Sequence, residues 1–188
     1  MNSIDAFQAH LMSCMRNDSC ATDGLKRLGI NASEVAEAEE MVARAGLFYE
    51  TEESVCLVDA YYRFLGSPMR IDPVEGSVYF TAKLFYSLPM WPGLELELTF
   101  NQDRFAGGIR FVRAGEPKAR RLKLEDLIPW RVVEDDLQST CREAVVVDGF
   151  STTNDFCCTL LDPGSAKYLL AFDFGLLQEV LPWNDLNL

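Results

Sequence analysis

The chain has 188 residues, 48% hydrophobic and 24% charged, with 29 Asp and Glu against 17 Lys and Arg: a formal net charge of −12 and a pI near 4.5. A single histidine, His10, excludes multi-histidine metal centres and leaves one residue alone to serve any His-dependent triad. No run of about 18 apolar residues is present to span a bilayer, and Asp5, His10, Arg16, Asp18 and Asp23 interrupt the first thirty residues, unlike a secretory signal.

The first 66 residues read as helices. Ile4, Phe7, Leu11, Cys14 and Met15 keep the three-and-four spacing of one apolar face. Ala32 to Leu47 repeats it with Val35, Ala38, Val42 and Ala45, while Glu34, Glu37, Glu40 and Arg44 take the opposite side. Asn31 with Glu34 three residues on has the form of a capping box, and Gly46 is a stop. A third helix is expected from Glu52 to Leu65, capped by Thr51 and closed by Gly66 and Pro68.

After Pro73 the period changes to two. Val78, Phe80, Ala82, Leu84 and Tyr86 alternate through one strand, and Leu94 to Phe100 places leucines on one face and Glu95 and Glu97 on the other. Asn101 to Arg104 supplies a turn to a return strand over Phe105, Ile109 and Phe111. Pairing Phe100 with Phe105 sets Glu95 opposite Arg110 on an exposed face, and a one-residue slip destroys the match. Gly107-Gly108 is a place for a bulge.

Glu143 to Phe150 adds a strand. Asp155 to Leu161 and Ala166 to Phe174 form a hairpin around Asp162-Pro163-Gly164-Ser165, apolar enough to be covered on both sides. Leu176 to Leu181 reads as a short closing helical turn before Pro182. The expected fold is therefore α+β in a single domain: N-terminal helices over residues 1–70 packed on a largely antiparallel, twisted sheet over 74–175.

Six cysteines, at 14, 20, 56, 141, 157 and 158, contain no CxxC pair. They read as reduced core thiols, with Cys157 and Cys158 on opposite strand faces, and point to a cytoplasmic protein. Spacing and histidine count give no zinc signature, so no metal and no cofactor are expected. His10 and Cys14 lie one helical turn apart but lack the orienting third group of a Cys–His nucleophile. No catalytic residue is assigned.

Charge is uneven. Glu34 to Asp59 carries eight acids and one base, net −7, whereas seven of the seventeen basic residues fall between Arg110 and Arg131. That basic island lacks any nucleic-acid-binding signature and sits in a molecule whose surplus charge repels polyanions, so no nucleic acid is expected. Glu134-Asp135-Asp136 lacks a calcium-loop pattern. Each tryptophan adjoins a proline (Trp91-Pro92, Pro129-Trp130, Pro182-Trp183), which places the indoles at element ends or on loops.

Acidity and the missing catalytic signature point to a non-catalytic binding module: an immunity- or antitoxin-type inhibitor that neutralises a basic partner such as a toxin. The expected partner contacts are Glu34, Glu37, Glu40, Glu52, Glu53, Glu134, Asp135 and Asp136, with Trp91 and Trp130 as apolar anchors. The alternatives are a small-ligand binder or enzyme with a carboxylate-based site, and an acidic secretion chaperone or adaptor.

Overall fold

A computed structural model describes residues 1–48, 58–77, 79–101, 106–115, 121–150, 152–161 and 166–183. The fold is α+β, with helices first and antiparallel strands after them. The strands form two four-stranded sheets rather than one, and the chain divides into two compact units, Met1–Ile109 and Arg110–Leu188. No helix among the described residues is long and apolar enough to cross a membrane.

In the first unit, helices α1 (Ser3–Ser13), α2 (Asp18–Leu28) and α3 (Ala32–Ala45) each start at an asparagine whose side chain accepts a backbone N–H of the first turn: Asn2, Asn17 and Asn31. At α3 the full capping box forms, since Asn31 N–H also donates to Glu34 Oε2 at 2.8 Å. Gly46 closes the helix at φ 70°, where a side chain would be strained. Ala6, Ala9 and Ala38 are fully buried, so small side chains let α1 and α3 approach closely. Ile4 and Cys14, expected on the apolar face of α1, are exposed instead. Helix α4 is described over Val58–Leu65; the expected cap Thr51 and the first turn from Glu52 lie outside the described residues.

Strands β1 (Arg70–Pro73), β2 (Phe80–Ser87), β3 (Leu94–Asn101) and β4 (Ala106–Arg113) make the first sheet in that order, and the unit boundary falls inside β4. The leucines of β3 are buried, and Phe100 meets Tyr61 of α4 edge-on at 5.9 Å. Gln8 of α1, fully buried, accepts Met90 N–H at 2.8 Å. The expected Phe100–Phe105 register turns on Phe105, which lies outside the described residues. Gly107 is dictated by packing: a Cβ there would come within 2.8 Å of Phe80 Cζ.

Tyr86 of β2 is buried, and its hydroxyl donates to Gly66 carbonyl at 3.3 Å. Burial, then neighbouring Tyr62, push its phenol up to about 12 from the usual 10. The folded state thus holds the proton more tightly than the unfolded chain. This contribution to stability is complete below pH 10 and is lost as pH rises toward 12. Urea denaturation between pH 9 and 12 is expected to show a fall in stability that Tyr86→Phe reduces.

The second unit holds β5 (Cys141–Phe150), β6 (Thr153–Leu160), β7 (Lys167–Asp173) and β8 (Leu176–Pro182), all antiparallel neighbours. Leu122, Val132, Cys158, Leu170, Phe172 and Leu177 lie in its core, with Phe156 edge-on to Phe172 at 5.7 Å. The β6–β7 hairpin is not covered on both sides. Cys158, Leu160 and Leu170 are buried, while Cys157 and Leu169, facing the other way, are half-buried. Val145, Val146 and Val147 of β5 are exposed on an edge that two register shifts interrupt, a device that discourages edge-to-edge pairing.

The expected closing helical turn at Leu176–Leu181 is strand β8. Asp173 pairs with Leu176, leaving a two-residue loop in which Phe174 (φ 51°) and Gly175 (φ 69°) are both left-handed. That is the type I′ geometry, which sends the chain straight back along β7. A Cβ on Gly175 would also sit 3.1 Å from Arg110 Cβ.

Candidate functional site

The expected acidic contacts separate into open and internally used groups. On α3, Glu34 is committed to the capping box, while Glu37, Glu39 and Glu40 are exposed. Glu40 forms an ion pair with Arg44 one turn on. Exposed pairs of this kind stabilise by only about 0.3–0.5 kcal/mol, and the ridge stays negative because Glu37, Glu39 and Glu40 outnumber the one arginine of α3. Glu52 and Glu53 lie outside the described residues.

Glu95 and Glu97 are not on an open face. Both are buried on β3, and each has a cation on another strand of the same sheet. Arg70 of β1 lies over the Phe85 ring, 3.7 Å from its centroid, and reaches across β2 to Glu95 at 3.1 Å; it also holds Asp72 at 2.6 Å. Lys83 of β2 meets Glu97 at 3.0 Å. In-register pairs Arg70–Phe85–Glu97 and Asp72–Lys83–Thr99 put all these groups on one sheet face. The arrangement neutralises its carboxylates internally.

Glu134-Asp135-Asp136 forms a 3₁₀ turn whose three side chains all have partners within the second unit. Glu134 accepts from Asn154 Nδ2 at 2.9 Å, Asp135 pairs with Arg110 at 3.0 Å, and Asp136, 5% exposed, takes Arg113 at 2.6 Å and Val133 N–H at 3.1 Å. The cluster is a structural staple rather than an open patch. Its cations belong to the basic island, whose Arg121 likewise donates to Leu161 carbonyl at 3.3 Å. Lys118 and Arg120 lie outside the described residues.

Of the two expected anchors, Trp91 is buried and Trp130 half-exposed. Trp91 is 3% exposed, packed into the first unit, and Trp130, half-buried at φ 62°, donates its indole N–H to Gln178 Oε1 at 3.0 Å. An indole beside a proline marks an element end, but the apolar ring still goes to the core.

The five described cysteines are thiols. Cys141 and Cys158 are buried in one core; their mutual hydrogen bond, then burial, push the Cys158 thiol up, while the same bond lowers that of Cys141. Cys20 and Cys157 are half-buried and Cys14 is exposed, so only two of the five are core residues. Cys14 Sγ lies 3.8 Å from His10 Nε2, and the His10 ring packs on Phe48 with centroids 4.7 Å apart. No group of three or more His, Cys, Asp or Glu side chains is placed to hold a metal ion among the described residues.

The open acidic ridge of α3 is therefore the candidate binding surface. No family model matches the chain, and no curated protein or solved structure matches it either.

Proposed function

We propose that this chain is a non-catalytic, acidic protein-binding module of the immunity or antitoxin kind, which neutralises a basic partner protein in a reducing compartment such as the cytoplasm. The observation that carries the reading is the α3 ridge: Glu37, Glu39 and Glu40 stand exposed on one capped helix in a molecule of net charge −12. Arg70, Lys83, Arg110 and Arg113 are meanwhile occupied by the molecule's own carboxylates. An acidic ridge on a rigid helix steers a cation-rich surface into encounter, and does so chiefly through the association rate. The competing reading, a small-ligand binder or enzyme with a carboxylate-based site, finds less support, because the buried carboxylates Glu95 and Glu97 are each paired with a cation of their own sheet.

The test begins with co-purification from the native host and mass spectrometry of what is retained. The retained protein is expected to be basic and to elute with salt. Glu37→Lys with Glu40→Lys is expected to slow its association several-fold, more at low ionic strength than at high, because screening shortens the field's reach to about 8 Å at 0.15 M salt. An association rate indifferent to both the substitutions and the salt overturns the reading.

A further inference from the structure

In the second unit, strand register lines up four apolar residues on the face of the sheet opposite its core. Val145 of β5 pairs with Cys157 of β6, Cys157 with Leu169 of β7, and Leu169 with Leu181 of β8. Their chain neighbours Cys158 and Leu170 point the other way, into the core. Val145 is 50% exposed and Leu181 46%, with Cys157 and Leu169 half-buried between them. The row crosses all four strands as an open apolar stripe. The row beside it is acidic: Asp148 pairs with Asp155, Asp155 with Ala171, and Ala171 with Glu179. Asp148 and Glu179 are exposed, and Asp148 directly opposite Asp155 is a like-charge pair that weakens the sheet. Glu95, Glu97, Asp135 and Asp136 each have a cation, whereas Asp148 and Glu179 have none among the described residues; Asp148 takes only the N–H of Gly149.

Charge and length together select what covers such a face. A second copy of the chain would bring together two molecules of net charge −12 with an acidic row at the contact, which opposes association. A partner that carries Lys or Arg beside an apolar ridge matches both rows at once. Three strand spacings of about 4.8 Å make the stripe about 14 Å long. A helix rises about 1.5 Å per residue, so apolar residues at i, i+3, i+7 and i+10 span about 15 Å and lie along one side of it.

We propose that the stripe Val145–Cys157–Leu169–Leu181 docks a basic amphipathic helix of a partner protein, with the helix's apolar ridge on the stripe and its Lys or Arg side chains on the flank of Asp148 and Glu179. The proposal rests on the binding-module reading for the basic character of the partner. To an acidic ridge that sets the encounter rate it adds an apolar contact that sets how long the complex lasts.

The probe is a synthetic helical peptide of about 14 residues, with leucines at i, i+3, i+7 and i+10 and lysines along one flank, added to the full chain. Cys157 lies inside the stripe and reports the contact through its rate of iodoacetamide labelling, read cysteine by cysteine in the mass spectrometer. Saturating peptide is expected to slow Cys157 about fivefold or more and to leave Cys20 unchanged. Val145→Asp and Leu181→Asp, both at half-exposed positions, are each expected to weaken the peptide about tenfold in fluorescence anisotropy, as is Asp148→Lys with Glu179→Lys. A peptide with glutamine in place of every lysine is expected to bind about tenfold more weakly than the lysine form. At about 0.15 M salt, Glu37→Lys with Glu40→Lys is expected to change peptide affinity by less than about twofold, so failure of the stripe and failure of the α3 ridge are told apart. No protection of Cys157, protection that survives both aspartate variants, or equal binding of the glutamine peptide overturns the proposal. So does a concentration-dependent dimer in light scattering that Leu181→Asp dissociates, which makes a second copy the occupant.

Discussion

Tyr61→Ala is expected to destabilise the first unit by about 3–5 kcal/mol, the range for emptying a large aromatic site in a core. Tyr61 is buried where α4 meets both α1 and β3. Its ring is edge-on to Phe7 of α1 at 6.4 Å and to Phe100 of β3 at 5.9 Å, and its hydroxyl donates to Leu47 carbonyl at 2.6 Å, just beyond α3. Each aromatic pair contributes about 0.5–1.5 kcal/mol beyond area burial. Tyr61→Phe isolates the hydrogen bond and is expected to cost about 1 kcal/mol. Because the chain has two compact units, hydrogen exchange at β3 amides is a better readout than one global transition. For Tyr61→Ala their protection is expected to drop by roughly 10²–10³-fold. A drop of tenfold or less would mean that the helices are not held to the sheet through this residue.

Elements with strong local signals were legible in the sequence. The Asn31–Glu34 capping box and Gly46 bound α3 as expected, and the Leu-Glu alternation of β3 placed its leucines in the core. Helix α2 is equally well capped, by Asn17 and by Gly29 at φ 71°, but Lys26, Arg27 and Asp23 thin its apolar stripe below what periodicity detects. Strand β1 has four residues and ends in a proline, too short to alternate visibly. Strand β8 was missed because Leu176-Leu177 reads as a helical run, and the signal against it lay in the loop before it. Phe174-Gly175 is a type I′ loop without the asparagine that usually announces one.

The site was harder to read, for an electrostatic reason. A glutamate on a strand looks solvent-facing until its cation is known, and Arg70 is 25 positions from Glu95 in the chain. The same holds for Arg110 and Asp135, and for Arg113 and Asp136, which the sequence reading treated as a separate basic island and a separate acidic cluster. On a helix the partner is close in sequence, as with Glu40 and Arg44, and there the exposure of the glutamates follows the expected polar face.

Asp135 and Asp136 turn that distinction into a measurement, since neighbours in sequence with the same charge differ in what surrounds them. The Arg110–Asp135 pair is 37% and 48% exposed, so Asp135→Ala is expected to cost no more than about 1 kcal/mol, less at high salt. Asp136 is 5% exposed, and its carboxylate receives Arg113 Nη2 at 2.6 Å, Arg113 Nε at 3.3 Å and Val133 N–H at 3.1 Å. Alanine there removes the counter-charge of Arg113, which is 26% exposed, and strips a buried backbone N–H of its acceptor. Breaking a buried pair by deleting one member costs about 3–5 kcal/mol, and the partial exposure of Arg113 sets the expectation for Asp136→Ala at the lower end, about 3 kcal/mol. Asp136→Asn keeps an oxygen for Val133 and loses only the charge, so it is expected to fall between. Urea denaturation of the three variants, followed through the second unit by hydrogen exchange at β8, orders them. Equal losses for Asp135→Ala and Asp136→Ala would show that the staple is solvated, and that Glu134-Asp135-Asp136 remains open to a partner after all.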